Sequence, residues 1–287
     1  MFRQLSSTLL AALLAAGFLA IPATAATTET CGSPWRLDAA TFPTPVKVNN
    51  SYFPLTPGTN WVMSGSVSGG THKIVTTVTD LTKVIDGVQT IVVLDEDFDG
   101  NVPQEAELAF FAQSNLGTVW GLGEYPEEYD NGVFAGAPST WISGLSGARA
   151  GVAMLANPTP DRAPYLQGKA LSIGFEDCAR VFATGQQLCE PAGCYRDVLV
   201  TDEWAPLDPA GGHQRKSYAP GIGQVRVGAI GGDSPEVLDL TRYAHLNPHD
   251  LTAARDRALA LDKHGYQVSP KVYGKTPPAA RTLRAGC

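Results

Sequence analysis

Thr82-Lys83-Val84-Ile85-Asp86-Gly87-Val88-Gln89-Thr90-Ile91-Val92-Val93-Leu94 decides the fold class. Two runs rich in β-branched residues flank Asp86-Gly87. Asp-Gly between such runs is the strongest short-range signal for an antiparallel hairpin. Upstream, His72-Lys73-Ile74-Val75-Thr76-Thr77-Val78-Thr79 has the same β-branched bias. Downstream, Asp99-Gly100 can turn a second hairpin into the run at 108–113, and Asn131-Gly132 marks another reversal. Strand signals resume over 171–183, 195–204, 214–218, 224–230 and 236–243. Short turns rather than helices separate them. The expected class is therefore mainly β: an antiparallel sheet forming a half-barrel or sandwich.

Residues 136–164 are rich in Gly, Ala and Pro and read as a long irregular connection. One helix is expected near the C-terminus. Asn247 can cap it, Pro248 suits its first turn, and Leu251, Ala254, Ala258, Leu259 and Leu261 broadly follow helical spacing. His264-Gly265 is the expected stop.

The first residues read as a targeting segment. Arg3 precedes an apolar run from Leu9 to Ile21, and Ala23-Thr24-Ala25 is an A-x-A cleavage pattern. The run is short for a membrane span, and no later segment is long enough for one. The expected organisation is a signal peptide at 1–25, an extended leader at 26–48, an antiparallel β domain at 49–246, and a helix with a basic tail at 247–287. The implied location is secreted, either extracellular or periplasmic.

The 287 residues carry a formal charge of −7, which argues against a nucleic-acid binder. The charge is uneven. Residues 26–250 hold 13 Lys and Arg against 26 Asp and Glu, whereas 251–287 hold 7 against 2. A basic tail can lie on the acidic body or reach an acidic partner.

All five cysteines follow the cleavage pattern. Cys189 and Cys194 enclose Glu190-Pro191-Ala192-Gly193, and a reversal there brings them within bridging distance. Export favours a disulfide over a zinc half-site. The pairing of Cys31, Cys178 and Cys287 stays open.

The chain has no G-x-S-x-G elbow, no Ser with a Lys three residues on, and no H-E-x-x-H helix. The candidate metal site is the run from Asp95 to Asn101. Its D-x-D-x-D-G start (Asp95, Asp97, Asp99, with Asn101 following) matches a calcium loop, and Glu105 and Glu107 flank Ala106 where the last ligand belongs. Calcium is the only cofactor suggested, and a solvated hairpin turn is the alternative. Glu124, Glu127, Glu128 and Asp130 form a second acidic cluster, a pattern that can serve acid–base hydrolysis. His245 and His249 are four apart, but His245 precedes the helix; His72 and His213 are isolated.

One resemblance covers about 49–242. Asn50-Ser51-Tyr52-Phe53-Pro54-Leu55-Thr56-Pro57-Gly58-Thr59-Asn60-Trp61 resembles the N-x-Y-F-P-L-x-P-G-x-x-W opening of a broad set of exported bacterial proteins. Trp204-Ala205-Pro206-Leu207 and Tyr218-Ala219-Pro220-Gly221-Ile222-Gly223 resemble later segments of that set. The resemblance implies an antiparallel β fold, such as the half-barrel of periplasmic lipoprotein carriers, and no chemistry. By residue type, Pro54 and Pro57 hold their segment extended, Gly58 permits a turn, and Tyr52, Phe53 and Trp61 supply large rings for a core.

The functional expectation is a secreted, non-catalytic binding protein for a small apolar or amphipathic ligand or a cell-surface component. The alternative is an extracellular hydrolase using the hairpin carboxylates. N-terminal sequencing of the exported protein is expected to start at Ala26. A start many residues away contradicts the cleavage reading.

Overall fold

The computed structural model describes residues 30–32 and 35–281. The signal-peptide reading at 1–25 and Cys287 lie outside the described residues.

Twelve long strands follow the leader. They are β1 (Thr59–Val67), β2 (Gly70–Ile85), β3 (Val88–Asp99), β4 (Val102–Gln113), β5 (Val119–Asp130), β6 (Arg149–Met154), β7 (Tyr165–Ala170), β8 (Phe175–Glu190), β9 (Gly193–Trp204), β10 (His213–Ala219), β11 (Gly223–Ile230) and β12 (Glu236–His245). Each pairs antiparallel with its neighbours in sequence. The ring then closes, because β12 pairs with β1 through Leu240 opposite Met63 and Tyr243 opposite Trp61. The result is a closed twelve-stranded up-and-down barrel, rather than an open half-barrel or a sandwich. An even strand number lets an all-antiparallel ring close without a mismatch.

Turn chemistry sets most of the meander. Asp86 (φ 48°) and Gly87 (φ 77°) are both left-handed between β2 and β3, as a two-residue hairpin requires. Asn131 (φ 49°) and Gly132 (φ 79°) repeat the device after β5. Between β8 and β9, Cys189 sits directly opposite Cys194 and the two are bonded, with Cα atoms 4.0 Å apart.

The irregular connection expected over 136–164 is partly wrong. It contains the short strand Trp141–Ile142, paired with β5, and all of β6. β6 joins the ring beside β5, with Gly151 opposite Gly121 and Val152 opposite Trp120. Its Gly and Ala content hid it. Gly151 is there because a Cβ would overlap the backbone of Gln167 on β7. The run at 171–183 also divides: Leu171–Ile173 is a 3₁₀ turn, and β8 starts only at Phe175.

The leader is extended, with one 3₁₀ turn at Ala39–Thr41. It is tied to β8 by a Cys31–Cys178 disulfide spanning 147 residues. Trp35 and Phe42 meet Trp120 edge-on at 6.4 and 6.3 Å.

The helix α1 (Pro248–Val268) starts as expected, with Asn247 Oδ1 accepting from the Asp250 amide. It does not stop at Gly265 but runs on to Val268. Gly265 is an interior position where a Cβ would lie 2.6 Å from the Tyr273 ring, so glycine admits the returning tail. α1 packs outside the barrel on β2 and β4. Lys83, 1 % exposed, donates to Asp262 Oδ1 (2.7 Å), Tyr266 Oη (3.1 Å) and Pro277 O (2.7 Å). Tyr273 Oη donates to the same Asp262 oxygen. Removing one partner of such a buried pair typically costs about 3–5 kcal/mol. Arg255 on Asp80 and Arg257 on Glu96 add paired contacts, so the basic C-terminal segment lies on the acidic body.

The two disulfides differ in the chain they close. In the loop-entropy account a five-residue loop contributes about 2 kcal/mol and a 147-residue loop about 5 kcal/mol. Replacing Cys189 and Cys194 by Ser is expected to lower Tm by several degrees, and replacing Cys31 and Cys178 by at least twice as much. Differential scanning calorimetry measures both; an equal or reversed order contradicts the account.

Candidate functional site

Directly opposed residues in an antiparallel ladder share a face. On β3 and β4, Asp95 opposes Glu107 and Asp97 opposes Glu105. On β2, Thr76, Ile74 and His72 oppose Asp95, Asp97 and Asp99. On β5, Glu124 opposes Ala109, next along the same face of β4 from Glu107. The other face of these strands carries Leu94, Glu96 and Leu108, where Arg257 of α1 reaches Glu96. The helix is outside, so the acids line the lumen.

The far wall contributes a second group. Asp177 and Ala179 of β8, Thr201 and Glu203 of β9, and Lys216 of β10 share the inner face by register. Glu203 is buried, accepting from Lys216 Nζ at 2.8 Å and Thr201 Oγ1 at 2.7 Å. Despite burial, the Lys216 ammonium keeps the Glu203 carboxyl below its ordinary range. Lys216 is raised in return. This pair neutralises itself.

The remaining carboxyls are not neutralised in that way. Burial pushes Asp95 up to about 6 and Asp177 up to about 7. Burial raises Glu107 well above the ordinary glutamate value, with Glu124, Glu105 and Asp95 adding to it. Burial raises Glu124 as well, opposed by the hydrogen bond from Trp141 Nε1 at 2.8 Å. Glu107 is 1 % exposed and Tyr165 2 %. Glu107 Oε2 and Tyr165 Oη have no hydrogen-bond partner among the described residues.

The opposite end of the lumen is apolar and closed. Residues 49–55 cross beneath it. Asn50 Nδ2 donates to Gly117 O (3.1 Å) and Leu155 O (3.0 Å), and the Gly221 amide donates to Ser51 O (2.7 Å). Tyr52 Oη donates to Asp197 O (3.1 Å), and Trp61 Nε1 to Ile222 O (2.8 Å). Phe53 reaches up to Phe111 (5.2 Å) and Tyr218 (6.4 Å). Met63, Val225 and Leu240 are buried in the same cluster. The N-x-Y-F-P-L segment is thus a floor stitched to the turns at Gly117 and Gly221, to Leu155 just past β6 and to Asp197 within β9, a role more specific than a core contribution.

The calcium-loop expectation meets a different geometry. Asp95, Asp97 and Asp99 lie on extended β3, Asn101 is in the turn, and Glu105 and Glu107 lie on β4. Such a ladder spreads its side chains along two strands instead of wrapping them round an ion. Among the described residues, no group of three or more His, Cys, Asp or Glu is placed to hold a metal ion. The second acidic cluster splits by strand alternation. Glu124 and Glu128 share the inner-face register, whereas Glu127 lies outside, held by Tyr125 Oη (2.7 Å), Tyr129 Oη (3.1 Å) and His264 Nδ1 (2.7 Å). His249 is exposed beside Asp250, and His245 lies against Gly58.

Sequence reasoning missed the inner-face members Asp177, Glu203, Lys216 and Tyr165. It also missed His72, whose Nδ1 is 2.9 Å from Asp99 Oδ1 and whose Nε2 is 3.5 Å from Glu236 Oε1. Strand alternation around these residues is the one signal that could have placed them, and it does not say which face is inside.

No protein-family model matches the chain, and no curated protein matches it. Among solved structures, it is similar to a "putative exported protein with YMCC-like fold" from Bacteroides fragilis, at 14% identity and TM-score 0.38 over 68% of this chain and 99% of that one. It is also similar to a "putative lipoprotein" from Parabacteroides distasonis, at 12% identity and TM-score 0.35 over the same shares.

The raised carboxyls set a pH dependence. Their folded pKa values lie above the unfolded value near 4, so the folded state holds protons that the unfolded chain releases. Stability is therefore lost as pH rises from about 4 through the folded values of about 6 and 7. Tm is expected to be higher at pH 5 than at pH 8, and Asp177→Asn should flatten that decline. Thermal melts across this range check it; a Tm that is flat or climbs toward pH 8 is the contrary result.

Proposed function

We propose that the protein is an exported, non-catalytic carrier that holds an apolar or amphipathic small molecule in the lumen of its barrel. The floor is the observation that carries this reading. Barrels of about eight strands are either filled by their own side chains or hold one small ligand, and the interior widens as strands are added. Here residues 49–55 seal one end with Phe53 on Phe111 and Tyr218, and the wall above changes from apolar to acidic. A cup of that polarity suits a molecule with one apolar and one polar end.

Two disulfides belong to a compartment outside the reducing cytosol. The A-x-A pattern and the resemblance of residues 50–61 to an exported bacterial set support periplasmic or extracellular placement. No helix among the described residues is long and apolar enough to cross a membrane.

Native mass spectrometry of the exported protein is expected to show a small-molecule adduct that is lost on collisional activation. An apolar naphthylamine dye should gain fluorescence on binding and be displaced by that molecule. Phe111→Asp places a charge on the floor and should abolish dye uptake, with the fold checked by circular dichroism. Absence of both adduct and dye uptake would overturn the reading.

A further inference from the structure

The upper lumen asks for positive charge. Asp95 and Glu107 are direct cross-strand partners, Glu124 follows on β5, and Asp177 faces the same lumen from β8. Among the described residues Lys216 is the cation beside these carboxyls, and its ammonium is already held by Glu203 at 2.8 Å. Burial and repulsion between adjacent cross-strand positions favour the protonated forms of these carboxyls, and a cationic head is the partner that lets them ionise; a buried carboxylate oxygen without a donor loses its hydration uncompensated. Glu107 Oε2 is such an oxygen, and Tyr165 Oη is a second unsatisfied group on the inner face.

A metal ion demands several oxygens at one short radius, and the described residues gather no such set. An organic ammonium or guanidinium is less exacting, because its several N–H donors can reach carboxylates spread over two or three strands. The apolar floor lies at the right depth. Glu107 and Phe111 are four residues apart on β4, about 13 Å along the strand. That is the reach of a medium-length alkyl chain.

We infer that the lumen takes an amphipathic organic cation, with its ammonium or guanidinium head among Asp95, Glu107 and Glu124 and its apolar body directed down to Phe111 and Phe53. This rests on the carrier reading above and adds the charge of the head group.

The test compares dodecylamine, dodecanol and dodecanoate, each below its micelle concentration, binding to the exported protein by isothermal calorimetry. The amine is expected to bind about tenfold or more tighter than the alcohol, with the carboxylate weakest. Glu107→Gln combined with Glu124→Gln keeps side-chain size and removes buried charge, so folding is retained, as a thermal melt will show. In that variant the advantage of amine over alcohol should shrink to within about threefold. Equal binding of amine and alcohol, tighter binding of dodecanoate, or an advantage that persists in the Gln variant overturns the cationic head while leaving the carrier reading intact. No binding of any of the three overturns the carrier reading, and the head-group inference with it.

Discussion

Closure of the hydrogen-bond ring is the constraint on which the rest of the structure depends. A twelve-stranded meander left open would present two edges of unpaired N–H and C=O groups. Pairing β12 with β1 removes both. Closure also creates an inside. Once the ring is shut, strand alternation divides every strand between a lumen and an outer face. The same alternation that sends Leu94 and Leu108 under the helix sends Asp95 and Glu107 inward.

The outer face is stabilised in ordinary ways. The leader is pinned by Cys31–Cys178 and by rings on Trp120, and α1 is fastened by Lys83, Asp262 and Tyr273. Both flanking segments thus close over the outside of the barrel. Among the described residues the lumen is defined by its own wall and by the floor at 49–55. The Lys83–Asp262 pair is buried but satisfied, since each partner makes further hydrogen bonds. The inner face is different. Four carboxyls there are raised by burial, and Glu107 keeps an oxygen without a partner. Buried groups of this kind lower stability and persist where a site uses them.

Much of the architecture was legible because it is local. Asp86-Gly87 and Asn131-Gly132 name their turns through the left-handed conformations they tolerate, and Asn247-Pro248 names a helix start. Cys189 and Cys194 flank a reversal short enough to announce their bridge. What was missed follows one physical rule. β6 carries Gly151 because the backbone of Gln167 on β7 approaches closely, and with Ala150 and Ala153 beside it the sequence looks like a loop. Gly265 looks like a helix stop, yet it is a contact point for Tyr273 and Tyr125. In both cases the glycine answers to a distant neighbour rather than to its own backbone.

The sequence by itself determined the β class, the hairpin turns, the short disulfide and the presence of acidic runs, because turn conformation and strand propensity act over a few residues. Only the tertiary structure decided that the sheet closes, that residues 49–55 form a floor, and that the acidic run of one hairpin faces Asp177 and Lys216 from strands some 80–120 residues away. A period-two pattern assigns residues to two faces without saying which is inside. That choice is made when the last strand finds the first, a contact between Thr59 and His245 that no local signal encodes.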